Sequence, residues 1–224
     1  MQEDGTWKRL FPIRFRRLSG EKAFSRWDIV SFEYSTPRDD NRLESCRVHE
    51  ESIQIVGKTK RTQEKSGLIE RALLASEKEA VDRNMSLALI RPVDVSLTWQ
   101  RLTEKEIEAD RQKFAEQAKQ LSFLEDEIAA YEPCPYRFKM RYWDEAGEHT
   151  KTCADWETSA AFFNLRRSMP EIDVLRHLEK TYCDDYAQKG LVLALGNMKR
   201  RPQTWQLLGI FPVERPVQGD LFSF

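Results

Sequence analysis

Apolar and polar side chains alternate along several stretches of the first hundred residues, and a period of two predicts β-strands. In residues 10–16 apolar residues alternate with basic ones, so Phe11, Ile13 and Phe15 are expected to face the core. Pro92 indicates an edge or a bulge in a later strand. Further strands are predicted at residues 27–34, 46–48, 52–56 and 87–99.

Apolar residues spaced by three and four positions predict helices between and after these strands. Residues 63–84 place Leu68, Ile69 and Ala80 on one face and are expected to form a single helix. Thr103 and Glu106 form a capping box, which predicts a helix that runs to about residue 120. The later elements are predicted as strands at residues 136–143 and 149–153, helices at 155–168 and 171–188, and a closing hairpin of 191–197 with 204–213.

The predicted strands cluster and do not alternate regularly with helices. This order predicts an α+β fold with mixed or antiparallel sheets and several packed helices. The chain of 224 residues is long enough for one large domain or two small ones, and the best candidate boundary lies around residues 121–135. We therefore predict an N-terminal α+β region with basic strands (residues 1–125), a C-terminal α+β region (130–214) and a flexible tail (215–224).

The composition favours a cytoplasmic protein without a membrane partner. Apolar residues make up 40% of the chain and charged residues 33%, a balance typical of a globular protein with a charged surface. No apolar window is long enough for a membrane span, and the acidic first residues do not resemble a signal peptide. The four cysteines are widely spaced and form no CxxC pair, which indicates reduced thiols.

Basic residues are concentrated in parts of the chain although the net charge is only −1. Residues 7–27 interleave basic with aromatic side chains and contain a single acid, Glu21. Such asymmetry is typical of a polyanion-binding surface, and an ordinary solvated surface is the alternative. Because the rings of the first strand are expected to face the core, contact with a nucleic-acid backbone is favoured over stacking on bases. The candidate nucleic-acid-binding residues are Arg14, Arg16, Arg17, Arg26, Lys199, Arg200 and Arg201.

The C-terminal residues Gln218, Asp220, Leu221 and Phe222 resemble the pentapeptide that binds the bacterial sliding clamp. The resemblance implies that the glutamine amide hydrogen-bonds the clamp and that the Leu-Phe pair enters an apolar pocket. Gly219 departs from the leucine that is usual at the second position. In the alternative interpretation these residues dock on the body of the protein as a C-terminal strand.

A further candidate site combines side chains that can bind a metal, on a turn that leads into a helix. Its members are His149, Cys153, Asp155 and Glu157. Their spacing matches no zinc or nuclease signature, and helix capping explains part of the pattern. Asp155 is a good N-cap and Glu157 suits the first helical turn, while Trp156 is expected to pack inward. We therefore predict no cofactor and no metal, with this metal site as the alternative.

A group of carboxylates stands close together in the first half of the chain, namely Asp39, Asp40 and Glu44. Arginines flank them on both sides, at positions 38, 42 and 47. This mixture is typical of a salt-bridged loop, so we do not expect the carboxylates to be catalytic.

Most of the chain resembles a group of bacterial proteins without an assigned activity. The resemblance lies in the Tyr/Phe-rich residues 136–142, the turn 147–149 with His149, and the helix start Asp155-Trp156-Glu157. It extends to the closing residues 196–209 and to the N-terminal residues 11–13 and 39–45. It implies a common bacterial fold and carries over no catalytic residue.

Two functional hypotheses remain after these observations. The first is a non-enzymatic adaptor of bacterial DNA metabolism, which binds nucleic acid through its basic surface and a sliding clamp through its C-terminal peptide. The second is a metal-dependent nuclease or phosphodiesterase centred on His149, Asp155 and Glu157. The chain contains none of the common catalytic motifs, such as a P-loop or a nucleophile elbow, so whether it is an enzyme stays open, with the balance towards no enzyme.

Overall fold

The computed structural model describes residues 1–13, 18, 23–122 and 132–215, without the side chains of residues 117–122. Within these residues the chain forms four sheets, each mixed or antiparallel, with helices packed around them. The predicted α+β class is confirmed.

The largest sheet has the strand order β12-β11-β7-β6. Strand β11 (Leu191–Met198) pairs antiparallel with β12 (Arg201–Pro212) on one side and with β7 (Leu87–Ile90) on the other. The short strand β6 (Leu73–Leu74) runs parallel to β7. Because β11 lies in the middle of the sheet, its apolar run is buried on both faces, as the near-zero exposure of Val192 and Leu193 shows.

A second sheet is an antiparallel meander of β8 (Val93–Arg101), β9 (Tyr136–Asp144) and β10 (Gly147–Thr152). In β9 the buried side chains of Phe138, Met140 and Tyr142 alternate with exposed neighbours. One face of this sheet therefore packs on the core and the other faces solvent.

Two small sheets come from the N-terminal part of the chain. In the first, β4 (Ser45–Val48) lies between β1 (Arg9–Phe11), to which it is parallel, and β3 (Tyr34–Ser35), to which it is antiparallel. The second is the antiparallel pair of β2 (Asp28–Ser31) and β5 (Gln54–Lys58).

The helices are α1 (Thr62–Ala72), α2 (Glu77–Asp82), α3 (Glu104–Ser122), α4 (Trp156–Leu165), α5 (Glu171–Lys180) and α6 (Tyr186–Lys189). A π-helical turn, Thr181–Asp185, joins α5 to α6. The capping box at α3 is confirmed, since the Thr103 backbone N–H donates to Glu106 at 2.9 Å and the Glu106 N–H donates to the Thr103 hydroxyl at 3.3 Å. None of the helices in the described part of the chain is long and apolar enough to cross a membrane.

Two of the predicted elements are divided in the structure. The single helix expected at residues 63–84 is α1 and α2, because Leu73 and Leu74 leave the helical path to pair with β7. Ser76 then begins α2 by accepting a hydrogen bond from the Glu79 N–H at 3.2 Å. The strand expected at residues 87–99 is likewise β7 and β8, separated at Pro92.

The main apolar core lies between the largest sheet, the meander and the helices α4 and α5, with Phe162, Val174 and Leu207 among its buried side chains. A smaller cluster joins the N-terminal part to the other face of the largest sheet, where Trp7 and Trp27 pack against Ile69, Val192 and others. All four cysteines are unpaired. The predicted boundary around residues 121–135 falls mostly on residues that the structure does not describe.

Candidate nucleic-acid interface

The structure places the basic turn, which we define as Lys199, Arg200 and Arg201, against the loop that precedes β4. The Lys199 ammonium lies 2.5 Å from the Asp39 carboxylate. The end of β11, directly before the turn, contacts the same loop. Arg42 of the loop donates a hydrogen bond to the Asn197 carbonyl oxygen at 3.0 Å. Two basic regions that are far apart in the sequence therefore meet on one side of the molecule.

Arg9 on β1 also contacts the end of β11. Its guanidinium donates to the Ser86 hydroxyl at 3.0 Å and to the Asn197 carbonyl oxygen at 3.4 Å. Two guanidinium groups, Arg9 and Arg42, thus converge on one carbonyl oxygen. Burial, with a further contribution from the charge of Arg42, lowers the pKa of Arg9 to about 10.

Carboxylates neutralise part of this buried positive charge. Asp40 accepts hydrogen bonds from the Arg42 guanidinium, the shortest at 2.7 and 2.9 Å, and these hold the pKa of Asp40 well below its usual range. Asp39 and Asp40 therefore belong to the salt-bridged loop that the sequence predicts.

Glu44 has a different role from the one expected of it. Its carboxylate is 6% exposed and accepts hydrogen bonds from both the backbone N–H and the hydroxyl of Ser86, each at 2.7 Å. Glu44 is therefore a buried anchor between the loop and the start of β7, and not a member of an exposed ion pair.

Gly196 gives Arg9 the space to reach this network. A Cβ atom at position 196 would lie 2.7 Å from the Arg9 guanidinium and 2.4 Å from a methyl group of Leu208. A residue larger than glycine would displace one of these two side chains.

The strand register shows which part of the N-terminal sheet is covered by this network. Arg9 on β1 pairs with Ser45 on β4. The next pair on the same face is Phe11 with Arg47. On the other side of β4, Arg47 pairs with Ser35 of β3. The Arg9–Ser45 pair lies under β11, whereas Phe11 is 70% exposed and Arg47 is also exposed. We call Phe11 and Arg47 the Phe11–Arg47 row.

The expectation that Phe11 faces the core is wrong. In this short strand the inward position is that of Leu10, which pairs with the buried Cys46, so its neighbour Phe11 points to the opposite face. An exposed ring is therefore present beside an exposed arginine, which the sequence alone led us not to expect.

Comparison with protein families relates the two sides of this interface. A family described as a domain of unknown function, DUF8757, matches residues 70–223. The chain belongs to the DUF8757 family. A second family described as a domain of unknown function, DUF8758, matches residues 1–73. Searches of curated proteins and of solved structures found no match.

The interface lies where the two family matches meet. The residues matched by DUF8758 contribute Arg9, Glu44 and the Phe11–Arg47 row. The residues matched by DUF8757 contribute Ser86, Asn197 and the basic turn. The surface is therefore composite, and neither match contains all of it.

The other nucleic-acid-binding candidates are not part of this described surface. Arg26 makes an ion pair with Glu157 at 2.6 Å and lies over the ring of Phe211 at 5.6 Å. Phe211 pairs with Val192, whereas the basic turn is at the opposite end of the β11–β12 ladder. At a rise of about 3.3 Å per residue, this separation is roughly 20 Å. Arg14, Arg16 and Arg17 lie outside the described residues, as do the four residues of the predicted clamp-binding peptide, Gln218, Asp220, Leu221 and Phe222.

The residues of the alternative metal site are placed in separate environments of the DUF8757 region. The His149 ring stacks on Tyr142 with ring centres 5.3 Å apart, and its Nε2 atom lies 2.9 Å from the Asp144 carboxylate. Glu157 is the partner of Arg26 on the surface. Across residues 1–13, 18, 23–122 and 132–215, no group of three or more histidine, cysteine or acidic side chains is arranged to hold a metal ion.

Asp155 and Cys153 have local structural partners. Asp155 caps α4 as predicted, accepting from the Glu157 N–H at 3.0 Å and from the Thr158 hydroxyl at 3.1 Å. Burial raises the pKa of Asp155, and burial also raises the pKa of the Cys153 thiol to about 11. Trp156 does not pack inward as predicted, because it is 54% exposed.

Sequence reasoning missed Phe11, Arg47 and Glu44 as members of the interface. Arg47 was visible only as one arginine of a charged loop, and Glu44 as one of its carboxylates. The His149–Asp144 pair was also missed, although the tight hairpin between two predicted strands was the signal that places Asp144 close to His149.

Proposed function

We propose that this protein is a non-enzymatic accessory factor of bacterial DNA metabolism that binds nucleic acid. The observation that carries the proposal is the contact of the basic turn region with the loop that precedes β4, through Lys199–Asp39 and Arg42–Asn197, because β4 also bears the exposed Arg47. Cationic side chains on one face provide the electrostatic contacts on which nucleic-acid affinity depends.

Some basic side chains on this surface are in ion pairs, and others are exposed without an ion pair to a described residue. Lys199 and Arg42 are held by Asp39 and Asp40, so they fix the position of the turn and contribute little net charge. Arg38, Arg47 and Arg200 are exposed, and none of them makes an ion pair with another described residue. These guanidinium groups are available to phosphates. A guanidinium group is planar and can donate two parallel hydrogen bonds to two oxygens of one phosphate.

A second part of the proposal concerns the C-terminal peptide. Gln218, Asp220, Leu221 and Phe222 would bind a sliding clamp, and this attachment would raise the local concentration of the protein at replicating or repaired DNA. The support for this part is the resemblance of the peptide to the clamp-binding motif.

The nucleic-acid part is tested by removing charge from the basic turn. The double variant Arg200→Ala/Arg201→Ala is compared with Arg176→Ala/Lys180→Ala, which removes the same charge from exposed positions of α5. Affinity for a DNA oligonucleotide is measured by fluorescence anisotropy over a range of salt concentrations. We expect the turn variant to bind more weakly for every sequence, with a log–log salt slope that is smaller by about 1–2.

Equal affinities and slopes for the two double variants would refute this use of the turn. The clamp part has a separate test. Deletion of residues 218–224 should abolish co-elution with a bacterial sliding clamp and leave oligonucleotide affinity unchanged, and unchanged co-elution would refute the attachment.

A further inference from the structure

We infer that the Phe11–Arg47 row is a binding site for unpaired nucleotides, so that the protein prefers single-stranded nucleic acid to duplex. This inference deepens the proposed function and rests on it.

The first step is the exposure of Phe11. A phenylalanine in a strand normally contributes its ring to the core, because burial of an aromatic side chain is strongly favourable. Here Phe11 is 70% exposed, whereas its neighbour Leu10 occupies the inward position of the same three-residue strand. The strand therefore presents an apolar ring outward at a position where a polar residue would be better solvated.

The second step is the side chain beside it. The register places Arg47 on the neighbouring strand, directly across from Phe11 and on the same face. Neighbouring strands are about 4.8 Å apart, so the two side chains leave the sheet from adjacent positions. A ring next to an arginine is the pairing that binds a base by stacking and its phosphate by charge.

The third step is the position of this row relative to the basic turn. Phe11 is two residues after Arg9, which places it about 7 Å further along the same face. Arg9 itself contacts the Asn197 carbonyl, at the base of the basic turn. The row and the contact with the basic turn region therefore belong to the same strand of the N-terminal sheet.

The chemistry of Phe11 distinguishes an unpaired strand from a duplex. Its side chain has no hydrogen-bonding atom, so it cannot read the donor and acceptor pattern that bases present in a groove. What it offers is a π-face, and in a duplex the faces of the bases are already occupied by stacking on one another. Only an unpaired base has a face available to the ring.

The same sheet provides a matched control. Tyr34 on β3 is also an exposed aromatic residue, at 53%, but it pairs with Val48 and therefore belongs to the opposite face from Arg47. Replacement of Tyr34 removes a ring of similar size and exposure without altering the proposed site.

The experiment measures the affinity of the full chain for three probes, dT16, rU16 and a 16-base-pair DNA duplex, by fluorescence anisotropy at one salt concentration. The variants are Phe11→Ala, Phe11→Trp and Tyr34→Ala, with thermal unfolding as the check on folding. We expect Phe11→Ala to lose roughly 5- to 150-fold in affinity for the single strands, which corresponds to about 1–3 kcal/mol for one stacked base. We expect little change for the duplex, near-normal binding by Phe11→Trp, and near-normal binding by Tyr34→Ala. The single strand that the unmodified protein binds more tightly identifies the ligand as DNA or RNA.

Two results would overturn the inference while leaving the proposed function intact. One is binding of single strands that Phe11→Ala does not weaken. The other is an equal loss for single strands and duplex, which would mean that Phe11 supports the surface without contacting a base. Absence of binding to all three probes by the unmodified protein would instead remove the proposed function itself.

Discussion

Replacement of Glu44 by alanine tests whether the two family regions are held together by the buried network. In the structure the Glu44 carboxylate is the acceptor for two groups of Ser86, the backbone N–H and the hydroxyl, both at 2.7 Å. Glu→Ala leaves both donors buried without an acceptor, since Ser86 is 3% exposed. It also removes the negative charge nearest to the buried guanidinium of Arg9.

The magnitude follows from these contacts. A hydrogen bond to a charged group contributes about 1.5–3 kcal/mol, and two of them give about 3–6 kcal/mol. Because a domain is stable by only about 5–15 kcal/mol, the variant is expected to lose a large fraction of its free energy of unfolding.

The assay is equilibrium unfolding in urea, followed by circular dichroism, for Glu44→Ala, Ser86→Ala and the double variant. We expect the effects of the two single variants to be non-additive by about 1–2 kcal/mol, because both remove the hydrogen bond from the Ser86 hydroxyl to Glu44. Glu33→Ala is the control, since Glu33 is exposed and its side chain has no hydrogen bond to another described residue. Equal stability of Glu44→Ala and Glu33→Ala, to within about 0.5 kcal/mol, would contradict this role of Glu44.

Three further predictions concern single positions. Gly196→Ala should destabilise the protein by about 1–3 kcal/mol, because the added Cβ overlaps with Arg9. Gly209→Ala should be neutral, because its added Cβ would lie 3.6 Å from its nearest neighbour. Thermal unfolding of the two variants measures the difference. Hydrogen bonds from Ser25 and Lys58 lower the pKa of Asp28 to about 2, so its contribution to stability is full above about pH 4 and is lost as the pH falls towards 2. The difference in urea midpoint between the unmodified protein and Asp28→Asn should therefore shrink over that interval, and a constant difference would contradict the assignment. Asp155→Ala should cost about 1–2 kcal/mol through loss of the α4 cap while Asp155→Asn retains most of it, and equal stability of the two would exclude the capping role.

The parts of the fold that the sequence predicts well are those with local causes. The alternation in β9 and the capping box of α3 depend on residues close together in the chain, so both could be located in advance. The division of residues 63–84 could not, since Leu73 and Leu74 fit a helical spacing and are drawn into a strand only by their pairing with β7.

The interface depended still more on distant contacts. Arg9 reaches Ser86 and Asn197, and no periodicity in the sequence connects those positions. The outward direction of Phe11 had a similar origin, because it is set by which residue of a three-residue strand lies opposite Cys46. The basic turn was found from the sequence, but its neighbours were not.

The composite network has a consequence for how this chain varies among related sequences. Each of its central contacts joins a residue in the DUF8758 match to one in the DUF8757 match, so a change on one side alone leaves a buried group without its partner. We expect Glu44 to covary with Ser86, and Arg9 with Gly196, in an alignment of chains that carry both regions. Chains in which the second region stands alone should have lost these residue types together. The two regions would then be inherited as one unit, and substitutions would be most restricted at the contacts between them.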